Sequence, residues 1–193
     1  MREEKNKKAV VFLADGFEEV EAVAPIDFLR RAGVEVVLVS LNDNGVSTGS
    51  HRIPLVADVT LANFAKGFDA DEWDAVLLPG GMPGASNLAA SGTIGAILKT
   101  LAEKSAFIAA ICAAPVVVLY PLGLLAGRRF TCYPGLEKTV AGAQWSEDGV
   151  VIDGNFITSR GAGTAGMWAM AIIERLLGED AARKIAASVL IRR

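Results

Sequence analysis

Cysteine occurs twice in this sequence, at Cys112 and Cys132, and histidine once, at His51. Cys112 stands where the apolar run Phe107-Ile108-Ala109-Ala110-Ile111 stops, and Ala113-Ala114-Pro115 and the apolar Val116 to Tyr120 follow. The run has the length and character of a strand covered on both faces. Pro115 suits the first turn of a helix, where its missing N–H costs nothing. Cys112 therefore falls on a sharp strand-to-helix turn, beside free N–H groups and a helix dipole that favour a thiolate. On this ground it is expected to be the more acidic and more oxidisable of the two cysteines. A small buried cysteine without reactivity is the plainer alternative.

Three acids, Glu18, Glu19 and Glu21, open a second apolar segment. An ionised carboxylate touching a thiolate would repel it, so a close pair should share one proton and titrate as a unit. Glu18 and Glu19 read as solvated residues at a helix start. Glu21 shares a helical face with Phe17 and Pro25, and a buried acid needs a reason. If it donates a proton to sulfur, its removal should raise the Cys112 pKa. His51 lies in the loop Gly49-Ser50-His51-Arg52 and would have to reach Cys112 to form a dyad; a lone loop histidine is more often solvated. No metal-ligand cluster is present, so metal chemistry has no support.

The elements that must position these groups alternate. Ala9 to Ala14 reads as a buried strand, Glu18 to Ala32 as a helix with Pro25 inside it and Gly33 ending it, and Val34 to Ser40 as a second strand. This is a β-α-β unit of a parallel sheet. Asn42 to Gly49 reads as a loop, Ile53 to Ala57 as at best an edge strand, and Leu61 to Phe68 as a short helix. Ala75 to Leu78 is a buried strand ending in Pro79-Gly80-Gly81-Met82-Pro83-Gly84, where backbone N–H groups can approach a reacting oxygen. That loop matches neither nucleotide phosphate fingerprint. Thr93 to Glu103 reads as an amphipathic helix, Arg129 to Cys132 as a short strand ending at Tyr133-Pro134-Gly135, and Val150 to Thr158 as a hairpin turning at Asp153-Gly154. Helices from about Thr164 to Leu177 and from Asp180 to Leu190 close the chain. The pattern predicts an α/β fold with a mostly parallel sheet and helices on both faces. Ligands in such sheets sit beyond the C-terminal strand ends. Four loops share that end: 15–21, 79–84, 112–115 and 132–135.

The chain is 193 residues long, which suits one domain, residues 1–193, with a polar N-terminal tail over residues 1–8. At 52% hydrophobic and 21% charged, with net charge −3, it is a globular protein with nothing to attract nucleic acid. Two cysteines make no disulfide framework and suit a reducing cytoplasm. The apolar run behind the charged N-terminus is too short for a signal-peptide core, so no export is expected. The uncharged stretch Ala106 to Gly127 is long enough to span a membrane, but Pro115, Pro121 and Gly123 break it; a buried strand followed by a buried helix explains it better.

Several stretches together resemble the DJ-one/ThiJ/PfpI superfamily, and most of all its DJ-one/ThiJ/YajL branch. They are Ala14-Asp15-Gly16-Phe17-Glu18-Glu19-Val20-Glu21, Pro25-Ile26-Asp27, Arg30-Arg31-Ala32-Gly33, Leu78-Pro79-Gly80-Gly81, Ala109-Ala110-Ile111-Cys112-Ala113-Ala114-Pro115 and Thr158-Ser159-Arg160-Gly161, in family order. The resemblance implies a flavodoxin-like sheet of the class I glutamine amidotransferase-like type, and a homodimer. It implies Cys112 as the reactive cysteine, Glu21 as its protonated partner, and a pocket built from Gly80, Gly81 and Ala113 with Tyr133 on its lining. It also implies cofactor-independent glyoxalase or deglycase action on reactive dicarbonyls and their adducts, or, as the alternative, a thiol sensor of oxidative stress or a holding chaperone. The peptidase branch carries a histidine directly after the cysteine; here that position is Ala113. The sequence departs from the branch at Tyr133, where many members have histidine, and tyrosine is a poorer base at neutral pH. His51 falls in a loop resembling the family's dimer-interface loop near a partner's pocket.

Overall fold

The structure, a computed structural model, describes residues 6–191. β1 (Lys8–Leu13), β2 (Glu35–Ser40), β5 (Val59–Thr60), β6 (Ala75–Leu78), β7 (Phe107–Ile111), β10 (Val150–Asp153) and β11 (Phe156–Ser159) form one sheet in the order β10-β11-β7-β6-β1-β2-β5. All neighbours pair in parallel except β10 with β11. α1 (Glu19–Arg31), α5 (Ala165–Leu177) and α6 (Glu179–Ser188) cover one face, and α2 (Leu61–Lys66), α3 (Gly84–Ala90) and α4 (Gly92–Glu103) the other. The chain is thus α/β with a flavodoxin-like arrangement.

Strand periodicity divides the core. Ala9, Val11 and Leu13 of β1 point to the α1/α5 side with Ala75, Leu77, Ala109 and Ile111, while Val10, Phe12 and Ala14 point to the other with Val76, Leu78, Ile108 and Ala110. Both sets are buried, so the central strands are apolar throughout and do not alternate with polar residues.

Several expectations need correction. The polar stretch 1–8 lies partly outside the described residues, and its end is structural: Lys8 opens β1, its N–H donates to Asp74 (2.9 Å), and Lys7 Nζ meets Asp74 Oδ1 at 2.7 Å. The loop read over 42–49 contains β3 (Val46–Thr48), which pairs with β4 (Pro54–Val56) as a separate antiparallel ribbon. Its polar residues hid this strand, since the ribbon packs on the loop after β1 and not in the core. α3 was not foreseen, because glycine and proline at 80–84 obscured its start. The helix expected after Pro115 is one wide turn, Pro115–Leu119, followed by turns to Gly127. β8 (Arg129–Phe130) pairs only with β9 (Gln144–Trp145). The hairpin turns at Gly154-Asn155, one residue later than its sequence suggested, with Gly154 at φ +59. Among the described residues, no helix is long and apolar enough to cross a membrane.

Candidate active site

Cys112 directly follows β7, and its φ is +62°, a left-handed value that costs a non-glycine residue energy. Two bonds hold the elbow: Cys112 N–H donates to Ser159 O (2.9 Å) and Tyr133 N–H donates to Cys112 O (2.9 Å). The strain therefore rests on β11 on one side and on the 132–135 loop on the other. Cys112 is half-buried, and the N–H groups of Gly81 and Ala113 point to its sulfur.

Glu21 lies in the first turn of α1 and is 1% exposed. Its Oε2 accepts from Gly80 N–H at 2.9 Å, the Ala162 N–H also reaches the carboxyl, and the group hydrogen-bonds Cys112. Gly80 lies between the two. A Cβ there would come within 2.7 Å of Cys112 Cβ and 2.8 Å of Glu21 Oε2, so only glycine lets acid and thiol meet. Gly81, at φ +84°, faces the backbone of residues 16–18 so closely that no side chain fits. The 15–18 and 79–84 loops therefore pack backbone against backbone.

Burial pushes the Glu21 carboxyl up to about 7, against hydrogen bonds with Cys112 and Gly80 N–H; the Glu18 charge adds to the rise. Burial also pushes the Cys112 thiol up, to about 12, helped by the Glu21 charge and hydrogen bond and opposed by the Gly81 and Ala113 N–H groups. The Glu21 charge acts only once Glu21 has ionised, so the pair loses its first proton far more readily than its second. Cys132 is fully buried and rises to about 11, through burial and the Glu137 charge. Burial thus raises both thiols, and the helix start alone does not make Cys112 acidic. Burial outweighs a helix dipole that a single turn scarcely develops. As expected of an ionised carboxylate beside sulfur, Glu21 disfavours the thiolate once it has lost its proton.

Tyr133 is 55% exposed, and its ring edge borders Gly161, which in turn borders Glu21 Oε1. The structure thus brings together Cys112, Glu21, Gly80, Gly81 and Ala113, with Tyr133 at the rim. His51 is engaged elsewhere. Its Nδ1 is 2.9 Å from Glu19 Oε2 and its backbone N–H donates to Glu19 Oε1 at 2.6 Å. Glu19, read from sequence as solvated, is buried and also accepts from Ser50 Oγ and Ile53 N–H. Glu18, Glu19 and His51 offer ligand atoms within 4.8 Å of one another, but the Glu19 oxygens are already filled by these donors, so the group is read as an ion-paired clasp. A fifth loop, 159–164, was missed. It stands at the C-terminal end of β11, and its Ser-Arg-Gly-Ala-Gly run was its only sequence signal.

An open parallel sheet with a strained cysteine at a strand-to-helix elbow, facing backbone N–H groups and a protonatable acid, defines a nucleophile-elbow α/β protein. The model of the DJ-1/PfpI family matches residues 7–175, and the chain belongs to that family. It is 38% identical over 188 residues to DJ-1 homolog B of Arabidopsis thaliana, covering 97% of this chain but 42% of that longer protein. It is 32% identical over 171 residues to a deglycase of Pyrococcus abyssi, covering 88% of this chain and 99% of that one. The structure of oxidised Toxoplasma gondii DJ-1 superimposes with a TM-score of 0.92 at 36% identity, covering 97% of this chain and all of that one.

Proposed function

We propose that this protein is a cofactor-independent enzyme of the glyoxalase/deglycase type, acting on reactive dicarbonyls or their adducts in a reducing cytoplasm. One observation carries the reading: a strained, half-buried Cys112 hydrogen-bonded to a Glu21 whose carboxyl titrates at about 7. A buried thiol is a poor nucleophile unless a base takes its proton during attack. Glu21 is that base. The Cys112 sulfur adds to the aldehyde carbon of a 2-oxoaldehyde, and the C–S bond forms as the carbonyl π pair moves to oxygen. The Gly81 and Ala113 N–H groups stabilise the oxyanion. Glu21 returns the proton to that oxygen, giving a hemithioacetal. Tyr133 lines the entrance. The deglycase name of the Pyrococcus relative supports the substrate class.

The same burial weighs against a resting thiol sensor or a holding chaperone built on a free thiolate. Methylglyoxal consumption by the wild type, Cys112→Ser and Glu21→Gln tests the enzyme reading, and wild-type turnover no faster than Cys112→Ser refutes it. Intact-mass measurement after mild peroxide tests the sensor reading. The second part of the proposal is a homodimer. Val20 and Val23 of α1 and Ile53 just before β4 leave large apolar side chains exposed along one groove with Leu55, and a second copy of this chain would cover them.

A further inference from the structure

We infer that Glu18 is the positioning residue of the Cys112–Glu21 pair, setting both where the Glu21 carboxyl stands and what charge it faces. The inference rests on the chemistry proposed above for Glu21 and adds a residue to it. Three hydrogen bonds close a ring. Glu18 Oε2 accepts from Glu21 N–H at 2.7 Å. Glu21 Oε2 accepts from Gly80 N–H at 2.9 Å. Gly80 O accepts from Glu18 N–H at 3.0 Å. The ring ties the first turn of α1 to the loop whose next N–H, that of Gly81, faces the Cys112 sulfur. Acid and oxyanion donor therefore cannot move independently.

The residue type needs explaining too. Glu18 is the N-cap of α1, with extended backbone angles of −87° and 125°. Serine, threonine, asparagine and aspartate are the usual caps, and any of them would satisfy the Glu21 N–H. A carboxylate cap, unlike serine, threonine or asparagine, also puts a negative charge beside a buried carboxyl. That charge is one of the causes that raise Glu21, which is faced otherwise by Cys112 and by the Gly80 and Ala162 N–H groups. The Glu18 carboxylate is itself faced by Glu19 and His51.

The test is a carbon-13 NMR titration of the Glu21 carboxyl in the wild type, Glu18→Gln, Glu18→Ala and Glu18→Asp, beside Tm and the pH profile of methylglyoxal turnover. In Glu18→Gln the amide oxygen still accepts from Glu21 N–H, so Tm holds while the Glu21 midpoint falls by roughly half a pH unit or more. The limb of the kcat/KM profile governed by Glu21 moves with it. In Glu18→Ala the midpoint and Tm both fall, and kcat drops at every pH. Glu18→Asp, a charged and favoured cap, restores the midpoint and Tm. An unshifted Glu21 midpoint in Glu18→Gln overturns the charge role, and an unchanged plateau kcat in Glu18→Ala overturns the positioning role. If the wild type shows no turnover, the dicarbonyl reading falls, and the NMR midpoints with Tm still decide the inference.

Discussion

At Glu21 the sign of every effect follows from one fact, a carboxyl 1% exposed. Its folded pKa of about 7 lies above the ordinary 4.5. Its contribution to stability is therefore fully present below about pH 4.5 and is lost as pH rises through about 7. Denaturant titrations should show the wild type losing stability relative to Glu21→Gln across that window, by about 3 kcal/mol. The same variant should form its Cys112 thiolate at lower pH than the wild type, followed by ultraviolet thiolate absorbance, because the repelling charge is gone. Turnover should nonetheless fall, by ~100-fold or more, since the base is gone as well. Gly80 gives a second residue-level test. Gly80→Ala drives a Cβ within 2.9 Å of three groups, including the Ile111 carbonyl, so the protein should lose about 1–3 kcal/mol and most Cys112 reactivity.

At the scale of elements, the β3–β4 ribbon is fastened to the start of α1 through the Glu19–His51 clasp. Gly16 N–H donates to Thr48 O and Ser50 N–H to Phe17 O, both at 2.8 Å, so the ribbon also grips the loop that leads to Glu21. The Glu19 hydrogen bond raises the His51 pKa, so that contribution is present below about 6.5 and is lost as pH rises through the raised value. For Glu19, burial alone would raise the pKa, but the His51 ring and the backbone N–H groups outweigh it and hold it low. Its contribution is lost as pH falls through that lowered value. The clasp is therefore tightest between the two, in mildly acidic solution. The protection of the amides of residues 46–56, relative to their intrinsic exchange rates at each pH, should be greatest there and fall above neutral pH, and His51→Ala should abolish that fall.

For the whole molecule, the groove that the exposed Val20, Val23 and Ile53 line sets the expectation of a dimer. Sedimentation equilibrium at micromolar concentration should return twice the chain mass of 20.2 kDa. Val23→Asp should return a monomer, because it places a charge in the apolar surface that the second copy covers. A monomeric wild type would refute the dimer.

What the sequence determined by itself was whatever local pattern dictates. The apolar runs at Ala9, Ala75 and Phe107 read as buried parallel strands, and in a parallel sheet the residues after them stand at one end. Glu21 was singled out because its helical phase put an acid on an apolar face, and Cys112 because it broke a strand. The β3 strand and α3 were illegible, since their residues are polar or glycine-rich and take their conformation from packing on distant backbone. Ionisation was the other thing sequence could not decide. A helix-start cysteine looks acidic in isolation, and only the folded chain shows that the sulfur is buried against Glu21. Glu19 looked solvated by the same local rule and is buried, because the hairpin tip 31 to 34 residues further on closes over it. Desolvation and charge act through space, so they belong to the tertiary structure.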